Sequence, residues 1–186
     1  MLNETCYSKL NEVIMMDTRE RRETLLALLH EANKPLTGAE LAGQYGVSRQ
    51  VIVQDIAILR ASGADIFATP QGYLIVSCAA ANEVQTVVAC RHTIEQIEEE
   101  IGIVVDRGGC VLDVIVEHPV YGELRGSLMI TNRRELVLFI EKLKQSKASP
   151  LSALTGGIHL HTLQAPGQEA MAEILAALDQ AGILMK

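Results

Sequence analysis

His159 and His161 stand two apart in the run Gly157, Ile158, His159, Leu160, His161. On a β-strand, residues two apart project from the same face, so these imidazoles can converge on one cation while Ile158 and Leu160 pack the other way. Such pairs suit zinc, nickel, copper or iron(II), and further donors must come from elsewhere. His92 is one candidate, and the run Glu98, Glu99, Glu100 holds another. Eight residues of helix rise about 12 Å, so His92 and Glu100 can share an ion only if their side chains lean together or His92 lies just outside the helix. Spacing does not choose among the three glutamates. A polar strand face beside a solvated acidic helix explains the same residues without any metal.

A second set of residues points to nucleic acid. Arg49, Gln50 and Gln54 fall on one side of a stretch with helical periodicity. Arginine pairs bidentately with guanine and glutamine with adenine, so these types read base edges in a major groove.

The element that must carry them is residues 36–61, which reads as a helix-turn-helix. Thr37 opens the first helix, Leu41 and Ala42 face inward, Gly46 closes it in the left-handed geometry, and Val47 plugs the turn. Ser48 is a good N-cap for the second helix, in which Ile52, Ile56 and Leu59 form the buried stripe. A plain helical hairpin would account for the helices but not for the run from Gly46 to Arg49. Leu25, Leu28 and Leu29 give an earlier helix over 18–31 its core stripe, stopped by Asn33, Lys34 and Pro35. After the recognition helix, residues 65–67 and 73–76 read as a hairpin wing with Gln71 at its tip. The expected organisation is an extension over 1–17, a winged helix-turn-helix over 18–76, a linker over 77–83 and a second domain over 84–186.

In that second domain the pattern predicts strands at 84–90, 110–117, 122–130 and 158–163, and helices at 94–105 and 168–181. Asn132 with Glu135 forms a capping box for another helix ending near Ser146, and residues 183–185 suit an edge strand. The fold class is α+β: the winged helix, then a ferredoxin-like α/β sandwich of β-α-β-β-α-β order with an extra C-terminal helix.

With 186 residues, 48% of them hydrophobic, the chain can bury two modest cores. A net charge of −7 argues against coating nucleic acid indiscriminately, whereas a specific operator binder needs only a local patch. The patch candidates are Arg19, Arg21, Arg22, Lys34, Arg49 and Arg60. The four cysteines, Cys6, Cys78, Cys90 and Cys110, have neither zinc-ribbon spacing nor the density of a secreted scaffold, and read as buried or idle thiols. No leader pattern stands out and no apolar run reaches the ~18 residues a membrane span needs, so the expectation is a soluble, cytoplasmic protein.

The stretches VSRQVIVQDIAILR (47–60), ATPQGY (68–73), DVIVEHPVYGELRG (113–126) and GGIHLHT (156–162) resemble the niacin-responsive transcriptional repressors of bacteria, which join a helix-turn-helix to a three-histidine (3H) domain. The resemblance runs over nearly the whole chain. It implies a regulator that binds double-stranded operator DNA of NAD synthesis or niacin uptake genes with nicotinic acid as corepressor, and half-sites spaced by about one turn of DNA, or a multiple of it, favour a homodimer. It also implies a transition metal, nickel or zinc, associated with His92, Glu100, His159 and His161, and so picks one glutamate of the three. His118, Tyr121 and Arg125 match the family's HPVYGE run and are expected to line a ligand pocket beside the metal. DNA contacts are expected from Thr37, Ser48, Arg49, Gln50, Gln54 and Gln71. A metal sensor without an organic ligand, or a metal-dependent enzyme fused to a DNA-binding domain, are the alternatives.

Overall fold

Asp17 is followed by a stretch whose leucines recur at helical spacing, and helix α1 forms over Thr18–Glu31 with Leu25 and Leu29 buried. The computed structural model describes residues 17–32, 34–75, 83–146 and 148–185. The expected extension (apart from Asp17) and linker (apart from Glu83) lie outside the described residues. The chain divides into two compact units, Met1–Ser77 and Cys78–Lys186.

In the first unit α2 spans Gly38–Tyr45 and α3 spans Arg49–Ala61. Thr37 and Glu40 form a reciprocal cap: Glu40 N donates to Thr37 Oγ1 at 3.1 Å, and Thr37 N donates to Glu40 Oε2 at 2.7 Å. Gly46 ends α2 at φ 63°, ψ 29°, the left-handed conformation that glycine adopts without penalty. Ser48 then caps α3 by accepting from Val51 N. Leu25, Leu29, Leu41, Ile52, Ile56 and Ile66 meet in one core. The wing strands are β1 (Ile66–Thr69) and β2 (Gly72–Ile75), joined by a two-residue turn. Leu36, just before α2, exchanges two backbone hydrogen bonds of 2.8 and 2.9 Å with Tyr73, which ties the wing to the helix-turn-helix.

The second unit contains β3 (Val84–Arg91), α4 (Ile97–Val105), β4 (Cys110–His118), β5 (Gly122–Ile130), α5 (Arg133–Ser146), β6 (Ile158–Ala165) and α6 (Gln168–Gln180). A 3-10 turn over Ile94–Gln96 leads into α4, so the expected helix over 94–105 begins as a tighter turn. Another 3-10 turn, at Leu151–Thr155, had no counterpart in the sequence reading. Half of the capping box for α5 differs from expectation. Glu135 N donates to Asn132 Oδ1 at 3.0 Å, but the Glu135 carboxylate accepts from Thr131 N and Oγ1 rather than from Asn132.

The four strands form a wholly antiparallel sheet in the order β3-β6-β4-β5. Both β-α-β segments are therefore split: β3 and β4 are separated by β6, and β5 and β6 by β4. This order keeps the last strand inside the sheet rather than on the edge that a ferredoxin-like order gives it. The strand bearing His159 and His161 thus has partners on both sides. Ile101 and Val104 of α4, Leu136 and Ile140 of α5, and Ile174 and Leu178 of α6 pack in one core with Val111, Ile130 and Leu163 of the sheet. On the opposite sheet face Val87 and Ile158 are exposed.

The outer edge of β3 is joined by the chain end. Arg91 N donates to Ile183 O at 2.9 Å, Met185 N donates to Ala89 O at 2.8 Å, and Cys90 bridges Leu184. The edge strand expected at 183–185 is thus a short bridge. No helix among the described residues is long and apolar enough to cross a membrane.

Candidate DNA-binding surface and metal centre

Helix α3 buries Ile52, Asp55 and Ile56 and turns Arg49, Gln50 and Gln54 outward. Thr37 and Ser48, both exposed, sit at the N-termini of α2 and α3 as caps. Sequence reasoning did not single out Val53, which is exposed between Gln50 and Gln54 and offers an apolar surface on the same face. The expected basic patch is reduced. Asp55 accepts from Arg21 Nε at 2.7 Å and has Arg22 at 3.8 Å, while Arg19 pairs with Glu23. Lys34, Arg49 and Arg60 are exposed. Gln71 sits in the two-residue turn at the wing tip, but both its side-chain amide atoms are buried and have no hydrogen-bond partner rather than being offered to solvent.

Replacing Arg49 or Gln50 by Ala should weaken operator binding by about 1 to 3 kcal/mol if each reads a base, with the fold retained because both side chains are exposed. Equal operator affinity of variant and parent in a gel-shift titration would remove them from the recognition surface.

In the second unit four side chains gather against the inner face of the sheet. The β3–β6 register pairs Cys90 with His159 and Val88 with His161, so both histidines face the helices. His92 follows β3 directly and lies outside α4, and the 3-10 turn then brings Glu100 back over it. That is how residues eight apart meet: His92 Nε2 is 2.7 Å from Glu100 Oε2. His161 Nε2 is 3.2 Å from the same oxygen, and His159 Nε2 is 3.3 Å from Oε1. The four side chains are at most 4% exposed. Glu98 and Glu99 remain on the solvent side of α4.

Gly157 makes this closeness feasible. It sits at φ 92°, and a Cβ there would collide with the carbonyl oxygen of His92. His92 N donates to Gly157 O at 3.4 Å, so the backbone beside the paired histidines touches the third one.

Each imidazole is oriented by its other nitrogen. His92 Nδ1 donates to Thr93 O at 2.7 Å, His159 Nδ1 to Gly157 O at 3.0 Å, and His161 Nδ1 to Asp113 O. A carbonyl only accepts, so each Nδ1 carries a hydrogen and each Nε2 turns its remaining site toward the Glu100 carboxylate, which also only accepts. The arrangement therefore requires protons or a cation between the rings and the carboxylate. Donors bound to one ion at about 2.1 Å stand roughly 3.0 to 3.4 Å apart at right or tetrahedral angles, close to the observed separations. Carbonyl-oriented imidazoles are also the usual outer shell of metal-binding histidines. The residues fit a transition-metal ion.

Electrostatics point the same way. Burial opposes ionisation of Glu100, yet its hydrogen bonds to His159, His161 and His92 hold it well below the ordinary carboxylate range. Burial likewise opposes protonation of His92 and His161, but the Glu100 carboxylate outweighs it and raises both.

Cys90 was not singled out from the sequence, yet it joins this cluster. Its sulfur, a Glu100 oxygen and a His159 nitrogen lie within 4.8 Å of one another, forming the mutually close donor set. His92 and His161 are attached to that set through Glu100.

The three expected ligand-pocket residues are not gathered in one place. Strand alternation puts His118 on the same side of the sheet as His159 and His161, where its ring stacks on that of Tyr121 at a centroid distance of 4.9 Å. Its Nδ1 accepts from Val120 N and Tyr121 N, which shapes the β4–β5 turn. Arg125 pairs with Ile115, which pairs with Leu160, so it occupies the opposite face. There it donates to Asp113 at 2.7 Å and Glu123 at 3.3 Å. Because Asp113 O accepts from His161, Arg125 supports the cluster from behind rather than lining it. A groove of about 800 Å³ lined by residues that include Ile115, Glu117, Glu123, Ile158, His159 and Leu160 lies at that end of the sheet.

Residues 21–74 match the model of an HTH domain and residues 85–186 that of the 3H domain. The chain is 45% identical to the transcription repressor NadR of Bacillus subtilis over 179 residues, covering 95% of this chain and 99% of that one. It is 44% identical to the probable transcription repressor NiaR of Thermotoga maritima over 168 residues, covering 90% of this chain and 95% of that one. An exposed recognition helix and a buried histidine–carboxylate cluster thus occur in a chain that aligns end to end with repressors, and the protein belongs to the family of transcription repressors in which an HTH domain is followed by a 3H domain.

Proposed function

We propose that this protein is a cytoplasmic, homodimeric repressor of genes for NAD synthesis or niacin uptake, with nicotinic acid as corepressor and no enzymatic activity. Its 3H domain holds nickel or zinc through His92, Glu100, His159 and His161, and Arg49, Gln50 and Gln54 read the operator. The observation that carries the reading is the convergence of three imidazoles on one buried carboxylate, in a chain whose other unit presents a recognition helix. A bound ion offers a pyridine carboxylate a group to coordinate, and the stacked rings of His118 and Tyr121 offer a flat surface to its ring. Glu117 and Glu123 make the groove at the β4–β5 end of the sheet a poor home for an anion. A dimer places two recognition helices about one turn of DNA, or a multiple of it, apart.

A ligand shifts an equilibrium only through different affinities for two conformations, and the coupling is reciprocal. Nicotinic acid should tighten operator binding, and operator should tighten nicotinic acid binding by the same factor, about 5- to 150-fold for an ordinary coupling. Calorimetric titration of nicotinic acid with and without operator, at constant salt, measures this directly. Coincident titrations would rule out a nicotinate switch. Metal-dependent operator binding without any nicotinate effect would instead establish a metal sensor, which is the second reading and is favoured by the depth at which the cluster is buried.

A further inference from the structure

We propose that the Cys90 thiolate is a ligand of the metal centre, adding sulfur to its imidazoles and carboxylate. The inference rests on the metal reading above. Cys90 is paired with His159 across β3 and β6 and is fully buried on the same sheet face. Its sulfur shares the close donor set with Glu100 and His159. Its backbone is bridged to Leu184 along the outer edge of β3. Cys110, by contrast, pairs with Gln164, on the other face of the sheet from His161 and Leu163.

Charge decides in favour of sulfur coordination. A dication bound by Glu100 and three neutral imidazoles leaves a net charge of about +1 in a site closed to water, and buried net charge is costly. A second anionic donor brings the site to neutrality, and Cys90 is the nearby side chain able to become one. On metal binding the S–H bond gives its proton to solvent and a sulfur–metal bond forms, with no change of oxidation state. A thiolate among imidazoles selects thiophilic ions such as zinc over manganese or magnesium.

Cobalt(II) serves as the probe, because thiolate coordination adds an intense sulfur-to-metal charge-transfer band in the near ultraviolet. The full chain loaded with one equivalent of cobalt should show the band. So should a variant carrying Cys6→Ser, Cys78→Ser and Cys110→Ser, in which Cys90 is the remaining thiol. Cys90→Ser should lose the band and bind cobalt more weakly by at least the roughly tenfold that even an outer-shell loss costs. X-ray absorption of the zinc-loaded triple variant should show sulfur at about 2.3 Å, a measurement that does not depend on Cys90→Ser folding. Bound cobalt without the band in the parent or the triple variant, or a band that survives in Cys90→Ser, overturns the assignment and leaves the metal reading standing. Failure of the parent to retain any metal by elemental analysis overturns both.

Discussion

Glu100→Gln is expected to abolish stoichiometric metal binding under conditions that load the parent. The carboxylate contacts all three imidazoles at 2.7 to 3.3 Å and carries negative charge into a site closed to solvent. Glutamine keeps the shape and the possibility of hydrogen bonding, so the fold should survive, but the charge that balances a cation is gone. The loss should exceed the roughly 100-fold upper range for removing an outer-shell partner. Glu98→Gln and Glu99→Gln, on the exposed side of the same helix, should load as the parent does. Elemental analysis after gel filtration distinguishes the three, and full occupancy in Glu100→Gln would exclude it from the centre.

The pH dependence follows from the same contacts. Glu100 is held below its ordinary range, so its contribution to metal-free stability is present above that range and is lost as pH falls through its lowered value. His92 and His161 are raised, so theirs is fully present below about 6.5 and is lost as pH rises through the raised values. Metal must displace the imidazole protons, so its affinity rises over the window in which those histidines deprotonate. The thermal shift produced by metal should therefore grow with pH through that window.

Arg21→Ala is expected to destabilise the DNA-binding unit by about 3 kcal/mol or more, because it leaves a buried carboxylate without its main partner. The Asp55 side chain is 3% exposed and Arg21 12%, and the two are joined by hydrogen bonds of 2.7 and 3.3 Å. Arg22, at 3.8 Å, compensates in part and keeps the cost near the lower end. For a unit of this size that loss lowers Tm by roughly 12 °C or more. The pair anchors the inner side of α3 to α1, so operator binding should fail together with folding rather than separately. Combining Arg21→Met with Asp55→Leu should recover much of the stability, since removing both charges avoids the orphan. A Tm within two or three degrees of the parent for Arg21→Ala would show the bridge to be solvent-screened.

The parts of the molecule legible in the sequence are those whose physics is local. Gly46 and Ser48 specify the turn of the helix-turn-helix through backbone conformation and a cap three residues away, and both act as their types require. Alternation told that His159 and His161 share one face, because strand period is a property of the chain alone, while the sheet register decides that this face meets the helices. What needed tertiary structure was less readable. The choice of Glu100 depends on a 3-10 turn that folds α4 back over His92, which helical spacing cannot express. Arg21 looked like a phosphate contact because its partner, Asp55, lies 34 residues away. Cys90 showed no ligand spacing because its neighbours reach it through strand pairing and helix packing. Arg125 carried the right charge for a carboxylate ligand, but the β4–β5 register puts it behind the sheet.

The chain end that pairs with β3 has a consequence for self-association. An edge strand offers unpaired amides and carbonyls to any other edge, and exposed Val87 would give such a contact an apolar surface. Residues 183–185 occupy the Ala89–Arg91 end of that edge with backbone bonds of their own. With those bonds made, the end of β3 that leads into His92 has fewer free backbone groups to offer the edge of another copy.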